Sequence, residues 1–143
     1  METDNARIQD FARKLAAHGY RLTHQRLCIL EALLTADNHP TAGEIYTRVR
    51  QLCPRTSLGT IYRTLETFKE IGEVRELQFR DGSNRYDGIH PRAHPHVICT
   101  HCGHIEDLTL ENLYALEAQA SQASGYQIRD SRVEFYGLCK NCQ

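Results

Sequence analysis

Apolar residues recur at helical spacing through the first half of the chain. Ile8, Phe11, Ala12 and Leu15 define one stripe, and Gly19 supplies a stop after it. Thr23 can cap a second helix whose inward side carries Leu27, Leu30, Leu33 and Leu34, ending in the loop around His39 and Pro40. Thr41-Ala-Gly-Glu44 is a capping-box pattern and opens a third helix with Ile45, Val49 and Leu52 inward, stopped by Pro54. Thr56 or Ser57 caps a fourth, with Leu58, Ile61, Leu65, Phe68 and Ile71 on one face and Gly72 at its end. The period then changes. Residues 74–79, a turn through Arg80-Asp-Gly-Ser83, and residues 84–87 predict a β-hairpin. Short helices followed by a hairpin form the pattern of a winged helix.

A second region follows a linker-like segment that begins at Gly88. Short strands are expected near His96–Thr100 and His104–Leu108, then a helix carrying Leu113, Leu116 and Ala120 that closes at Gly125. A last strand falls within Gln127–Leu138. The resulting organisation is α+β: a winged-helix domain at 1–88, a hinge at 89–93 and a second domain at 94–143.

The second region also holds the strongest chemical signal. Cys99-x-x-Cys102 and Cys139-x-x-Cys142 are two knuckles, each able to give two thiolates to one tetrahedral Zn²⁺. Disulfides or redox C-x-x-C pairs are the competing use of the same residues. Cys28 and Cys53 lack such partners and are expected to pack between helices.

A sulfur-free set stands beside the first knuckle: His39, Asp87, His94, His96 and Asp107. His94-Pro-His96 has the two-residue spacing that places both imidazoles on one side of a strand. Nitrogen and oxygen donors of this kind suit Fe²⁺, Mn²⁺ or Zn²⁺ better than a thiophilic ion. Taken singly, each is equally a surface histidine or a turn aspartate, and Glu106 is a rival carboxylate to Asp107. His90, His101 and His104 are further histidines of the same stretch.

Length and charge narrow the functional classes. At 143 residues, with 41% hydrophobic and 24% charged content, the chain fits one ordinary domain or two small ones. No apolar run approaches a membrane span and the N-terminus lacks a signal-peptide core, so a cytoplasmic location is expected, with no membrane partner. A net charge of −1 excludes a uniformly basic coat but not a local one. Between Arg21 and Arg63 lie six arginines against Glu31, Asp37 and Glu44. The outer side of the fourth helix offers Ser57, Gly59, Thr60, Tyr62, Arg63 and Thr64, with Arg55 just before it. Gln25 and Arg26 begin the second helix. These are residues that grip phosphates and reach base edges. An ordinary helix with a solvated polar face shows the same pattern.

The pieces R-L-T-H-Q-R from Arg21, H-P-T-A from His39, S-L-G-T-I-Y-R-T-L from Ser57, S-N-R-Y-D from Ser83, H-P-H-V-I-C-T-H-C-G from His94 and F-Y-G-L-C-K-N-C from Phe135 together resemble the ferric uptake regulator (Fur) superfamily of metal-dependent repressors, over nearly the whole chain. One departure is His24, where the family usually has proline. The resemblance implies a C-terminal α/β dimerisation domain and a homodimer on palindromic double-stranded operator DNA. It also implies structural zinc on the four paired cysteines, and regulatory Fe²⁺ or Mn²⁺ on His39, Asp87, His94, His96 and Asp107 bridging the domains. Tyr62 matches a recognition-helix tyrosine. A further metal site of some iron regulators looks absent, since Ala93, Tyr114 and Ser131 stand where its ligands would be. Asp107, where iron sensors usually carry glutamate, resembles the peroxide-sensing PerR-type members, in which bound Fe²⁺ reacts with peroxide and oxidises a ligand histidine. The matching positions are His39 and His94. An iron- or manganese-responsive uptake regulator without peroxide sensing is the alternative. A non-haem iron or zinc enzyme is a more distant one, against which stands the lack of H-E-x-x-H, and a zinc-held interaction module is a third.

Overall fold

The computed structural model describes residues 2–36, 39–79, 81–88 and 94–143. The chain divides into two units, Met1–Pro91 and Arg92–Gln143. The hinge expected at 89–93, with His90 and Ala93, lies outside the described residues, as does Arg80 of the predicted turn.

Unit 1 holds α1 (Glu2–Ala17), α2 (His24–Leu34), α3 (Ala42–Leu52), α4 (Leu58–Glu70), β1 (Arg75–Gln78) and β2 (Asn84–Asp87). Phe11, Leu15, Ile29, Leu30, Leu33, Ile45, Val49, Ile61, Leu65 and Phe68 fill its core, and the Phe11 and Phe68 rings meet edge to face at 4.7 Å. The helices follow the apolar period, but the buried stripes differ from it at their margins. Ile29, not Leu27, is fully buried in α2, and Leu52 and Leu58 project outward at 63% and 41% exposure. Both leucines lie at helix ends next to the 53–57 turn, where no element among the described residues covers the stripe. Thr64 is buried at 5% rather than displayed on the outer side of α4.

Local hydrogen bonds set the helix starts. The Thr23 hydroxyl accepts from Arg26 N at 3.3 Å, and the Ser57 hydroxyl from Thr60 N at 3.1 Å, so Ser57 rather than Thr56 is the cap of α4. Thr41 forms the full capping box: its hydroxyl accepts from Glu44 N at 3.2 Å, and its own N–H donates to the Glu44 carboxylate at 2.7 Å. Thr41 also bridges to Arg85 of β2, while Tyr86 N donates to the Pro40 carbonyl at 2.9 Å. His39 is thereby held against the hairpin. Thr41→Ala should cost unit 1 about 1 kcal/mol, read as a lower urea midpoint with an unchanged slope.

The hairpin pairs β1 with β2 antiparallel, from Arg75 opposite Asp87 to Gln78 opposite Asn84. Its end is fixed by close packing. A Cβ on Gly88 would meet Leu33 Cβ at 3.2 Å, so glycine lets the chain after Asp87 lie on α2.

Unit 2 holds β3 (His96–Cys99), β4 (Ile105–Asp107), α5 (Leu113–Ser124) and β5 (Glu134–Gly137). The sheet order is β4-β3-β5, with β3 and β4 antiparallel and β3 and β5 parallel. A parallel pair needs a crossover, which the α5 segment provides. Its buried apolar residues, among those described, are Pro95, Ile98, Cys99 and Ile105, and α5 buries none of its side chains. Among the described residues no helix is long and apolar enough to cross a membrane.

Candidate metal centres and nucleic-acid interface

The two knuckles of unit 2 close on each other. Cys99 ends β3, and β5 runs beside it to deliver Cys139 and Cys142. The first turn depends on Gly103, which takes φ +75° while its N–H donates to the Cys99 carbonyl at 3.0 Å. One sulfur from each cysteine lies within 4.8 Å of the other three, and Cys102 Sγ and Cys139 Sγ are 3.7 Å apart. All four are free thiols. Bonds of 2.3 Å in a regular ZnS₄ tetrahedron set neighbouring sulfurs about 3.8 Å apart, so the donor set fits Zn²⁺.

The backbone prepares this cage for a cation. Cys102 N and Cys139 N donate to Cys99 Sγ at 3.5 and 3.4 Å. These N–H groups, Cys102's first, draw the Cys99 thiol down to about 5. Cys142 is pushed up to about 12, chiefly by its hydrogen bond to Cys139. The cage thus favours the anion at Cys99 and the thiol at Cys142, so a divalent ion entering it must displace protons.

The sulfur-free set is distributed over both units. In unit 2, strand register places Asp107 opposite His96 and Glu106 opposite Val97, so the two carboxylates leave opposite sides of β4. Asp107 Oδ1 lies 3.2 Å from His94 Nε2 and 3.4 Å from His96 Nε2, and the two imidazole centroids are 4.4 Å apart. Metal bonds near 2.1 Å at right angles separate ligand atoms by about 3.0 Å, so this triplet is close to the spacing of one coordination shell. His96 is buried at 3% exposure, which fixes its ring. In unit 1, His39 Nδ1 lies 4.0 Å from Asp87 Oδ2, both residues being buried. His101 and His104 are exposed in the first knuckle. Of the positions tied to a further metal site, Tyr114 is 83% exposed and Ser131 donates to the Glu117 carboxylate.

Four of the seven residues expected at a DNA surface meet in one place. Gln25 and Arg26 of α2, with Thr60 and Arg63 of α4, line an open cleft of about 390 Å³ together with Thr23, Thr64 and Thr67. Arg63 donates to the Thr60 hydroxyl at 3.3 Å, and Arg26 lies 5.2 Å from the centre of the Tyr20 ring while donating to the Arg21 carbonyl. Arg55, Ser57 and Tyr62 lie outside this cleft, and all three are exposed.

Cys28 and Cys53 pack in the core of unit 1 as expected, and they are also joined as a disulfide between α2 and the end of α3. The sequence gives no cue to it, because 25 positions separate the two and neither belongs to a close pair.

Comparison with known proteins places these features in context. The peroxide-responsive repressor PerR of Staphylococcus saprophyticus is 40% identical over 143 residues, which cover 100% of this chain and 96% of that protein. The crystal structure of the Campylobacter jejuni peroxide stress regulator is 35% identical with a TM-score of 0.72, covering 82% of this chain and 88% of its own. The Helicobacter pylori ferric uptake regulator Fur shares the fold at 20% identity and a TM-score of 0.82, over 96% of this chain and 92% of its own. The model of the ferric uptake regulator family matches residues 17–136. The chain belongs to the ferric uptake regulator family.

Proposed function

We propose that the protein is a metal-dependent transcriptional repressor that binds palindromic operator DNA as a homodimer and responds to peroxide through oxidation of His39 or His94. The triplet His94, His96 and Asp107 carries this reading. Two imidazoles and one carboxylate with no sulfur suit Fe²⁺ or Mn²⁺, and Asp107, where iron sensors usually carry glutamate, resembles the peroxide-sensing members. His39 and Asp87 complete the set from unit 1, so that one ion holds the two units in one arrangement. Cys99, Cys102, Cys139 and Cys142 hold structural zinc. Fe²⁺ in the regulatory site would supply the one-electron chemistry that splits peroxide next to the histidines. The chain's own part is to orient these rings: His96 by burial, His94 by its contact with Asp107, and His39 by the capped, bridged turn at Thr41.

DNA contact falls to Gln25, Arg26, Arg55, Ser57, Thr60, Tyr62 and Arg63. Arg26 and Arg63 supply phosphate-neutralising charge, and Tyr62, 49% exposed on α4, can reach a base edge. Support for the homodimer comes from unit 2, which exposes Leu110, Tyr114, Leu116, Tyr126, Phe135 and Leu138. That much uncovered apolar surface on so thin a core is the mark of an interface with a second copy. A two-fold dimer would present two α4 helices to half-sites about 10 bp apart or a multiple of that.

The deciding experiment is intact-protein and peptide mass spectrometry of Fe²⁺-loaded and Mn²⁺-loaded protein after trace H₂O₂. One added oxygen atom on His39 or His94, with iron only, is the expected result. Unmodified histidines in the iron form would make the protein an iron- or manganese-responsive regulator without peroxide sensing.

A further inference from the structure

Two sulfurs of unit 1 take no part in the sites above. Cys28 lies within α2 and Cys53 caps the end of α3. Their Cα atoms are 6.7 Å apart, within the span that a disulfide bridges without backbone movement. His24 stands one helical turn before Cys28, with Nε2 3.8 Å from Cys28 Sγ. A ring nitrogen of His24 and both sulfurs lie within 4.8 Å of one another. The same chain carries Cys99, Cys102, Cys139 and Cys142 as free thiols in a cage fit for zinc. That cage works only where sulfurs are kept reduced, and in such a medium a disulfide is transient and serves redox chemistry.

We infer that Cys28 and Cys53 form a reversible thiol-oxidation site within the DNA-binding unit, a dithiol at rest and a disulfide after reaction with a hydroperoxide. The steps balance with H₂O₂ as oxidant. The Cys28 thiol gives its proton to His24 Nε2, and the thiolate attacks one peroxide oxygen. An S–O bond forms, the O–O bond breaks, and the departing hydroxide takes the proton from His24 to become water. The Cys53 thiol then attacks the Cys28 sulfenic sulfur. The S–S bond forms, the S–O bond breaks, and the hydroxyl leaves as a second water with the Cys53 proton. Two thiols are oxidised by two electrons and one H₂O₂ is reduced to two waters. A dithiol reductant reverses the change by exchange.

The position gives the bond a consequence. The Cys53 carbonyl accepts from Thr56 N at 3.0 Å, and the next residue, Ser57, caps α4. Oxidation therefore ties α2, which carries Gln25 and Arg26, to the turn that launches α4, which carries Thr60 and Arg63. Both sulfurs are shielded, at 2% and 6% exposure, whereas His24 is exposed. Reaction is thus slower than at an open thiol.

The test uses full-length protein loaded with zinc and Mn²⁺, so that iron-driven histidine oxidation cannot contribute. After H₂O₂ the sample is blocked with N-ethylmaleimide and mapped without reduction. The expected result is a peptide pair linked through Cys28 and Cys53 that dithiothreitol removes from the folded protein, with zinc retained and the four cage cysteines unoxidised. The oxidised wild type should melt later than the reduced form, and neither Cys28→Ser nor Cys53→Ser should show that gain. His24→Ala should form the link more slowly with an unchanged melting temperature in the reduced state. The proposal is overturned if both cysteines remain alkylatable after peroxide while the cage loses zinc, or if the bond resists dithiothreitol in the folded protein and is a permanent staple. It is equally overturned if the reduced pair binds an additional metal ion that Cys53→Ser abolishes and that blocks oxidation. Histidine oxidation in the iron form does not bear on any of these outcomes, so this inference and the peroxide response of the regulatory site fail separately.

Discussion

Cys99→Ser is expected to strip the zinc and unfold unit 2 while leaving the helices of unit 1 in place. The reason is the imbalance between the two cores. Unit 1 buries a continuous apolar cluster from α1 to the hairpin, whereas Pro95, Ile98, Cys99 and Ile105 are the apolar residues unit 2 buries among those described. So small a core cannot offset the conformational entropy of its own chain. Binding of structural zinc contributes roughly 10–16 kcal/mol in small thiolate domains at neutral pH, far more than those side chains supply. Cys99 is the most consequential of the four, because its sulfur accepts from both Cys102 N and Cys139 N and thereby joins the two knuckles. Zinc content by elemental analysis and amide exchange resolved by peptide give the result. Protected β3 and β5 amides in a zinc-free Cys99→Ser protein would show that the sheet stands without the metal. Acid should act in the same direction as the mutation. The depressed Cys99 thiol favours the folded, anionic cage at pH values above its ordinary thiol range, and that contribution is lost as pH falls through about 5. Loss of zinc and of unit 2 structure on acid titration follows.

The second large effect is expected from His39→Ala, which should abolish metal-dependent DNA affinity without touching the zinc cage. Under the proposed mechanism a near-complete switch requires the ion to favour the DNA-competent arrangement by on the order of 5 kcal/mol. An ion held by unit 2 residues alone has the same affinity whatever unit 1 does, and so shifts nothing. Removing His39 should therefore flatten the Mn²⁺ dependence of binding to a selected operator, measured by fluorescence anisotropy at fixed salt, while residual metal binding through His94, His96 and Asp107 persists. His104→Ala, in the exposed part of the first knuckle, is the matched control and should behave as wild type. Retained metal-dependent affinity in His39→Ala would break the link between the two units that the proposal requires. Arg63→Ala would differ from both: weaker binding at every metal concentration and a shallower salt dependence, because it removes a phosphate partner rather than the switch.

How much of this was legible in the sequence follows from the range of each interaction. The Thr41–Glu44 box, the Thr23 cap and the two knuckles were readable because their partners lie within one turn of chain, whereas Thr56 and Ser57 stood as equal candidates for the α4 cap. The apolar stripes of α1 to α4 were readable for the same reason, since a helix repeats its face every few residues. The stripes' edges were not. Leu52 and Leu58 fit the apolar period yet are exposed, and Thr64 fits the polar outer face yet is buried. In α5 the apolar residues Leu113, Leu116 and Ala120 also fit a period, but none is buried.

Sequence by itself therefore determined the helices, the Thr23 and Thr41 caps, the hairpin, the two cysteine knuckles and a short roster of candidate nitrogen and oxygen donors. These depend on short-range hydrogen bonding and on ligand chemistry carried by residue type. Tertiary structure alone decided which distant segments meet. It set β5 parallel beside β3, turned Asp107 rather than Glu106 toward His96, brought Gln25 and Arg26 to the same cleft as Thr60 and Arg63, and joined Cys28 to Cys53. Such pairings are chosen by packing and register between elements, and no period or spacing within a single segment encodes them.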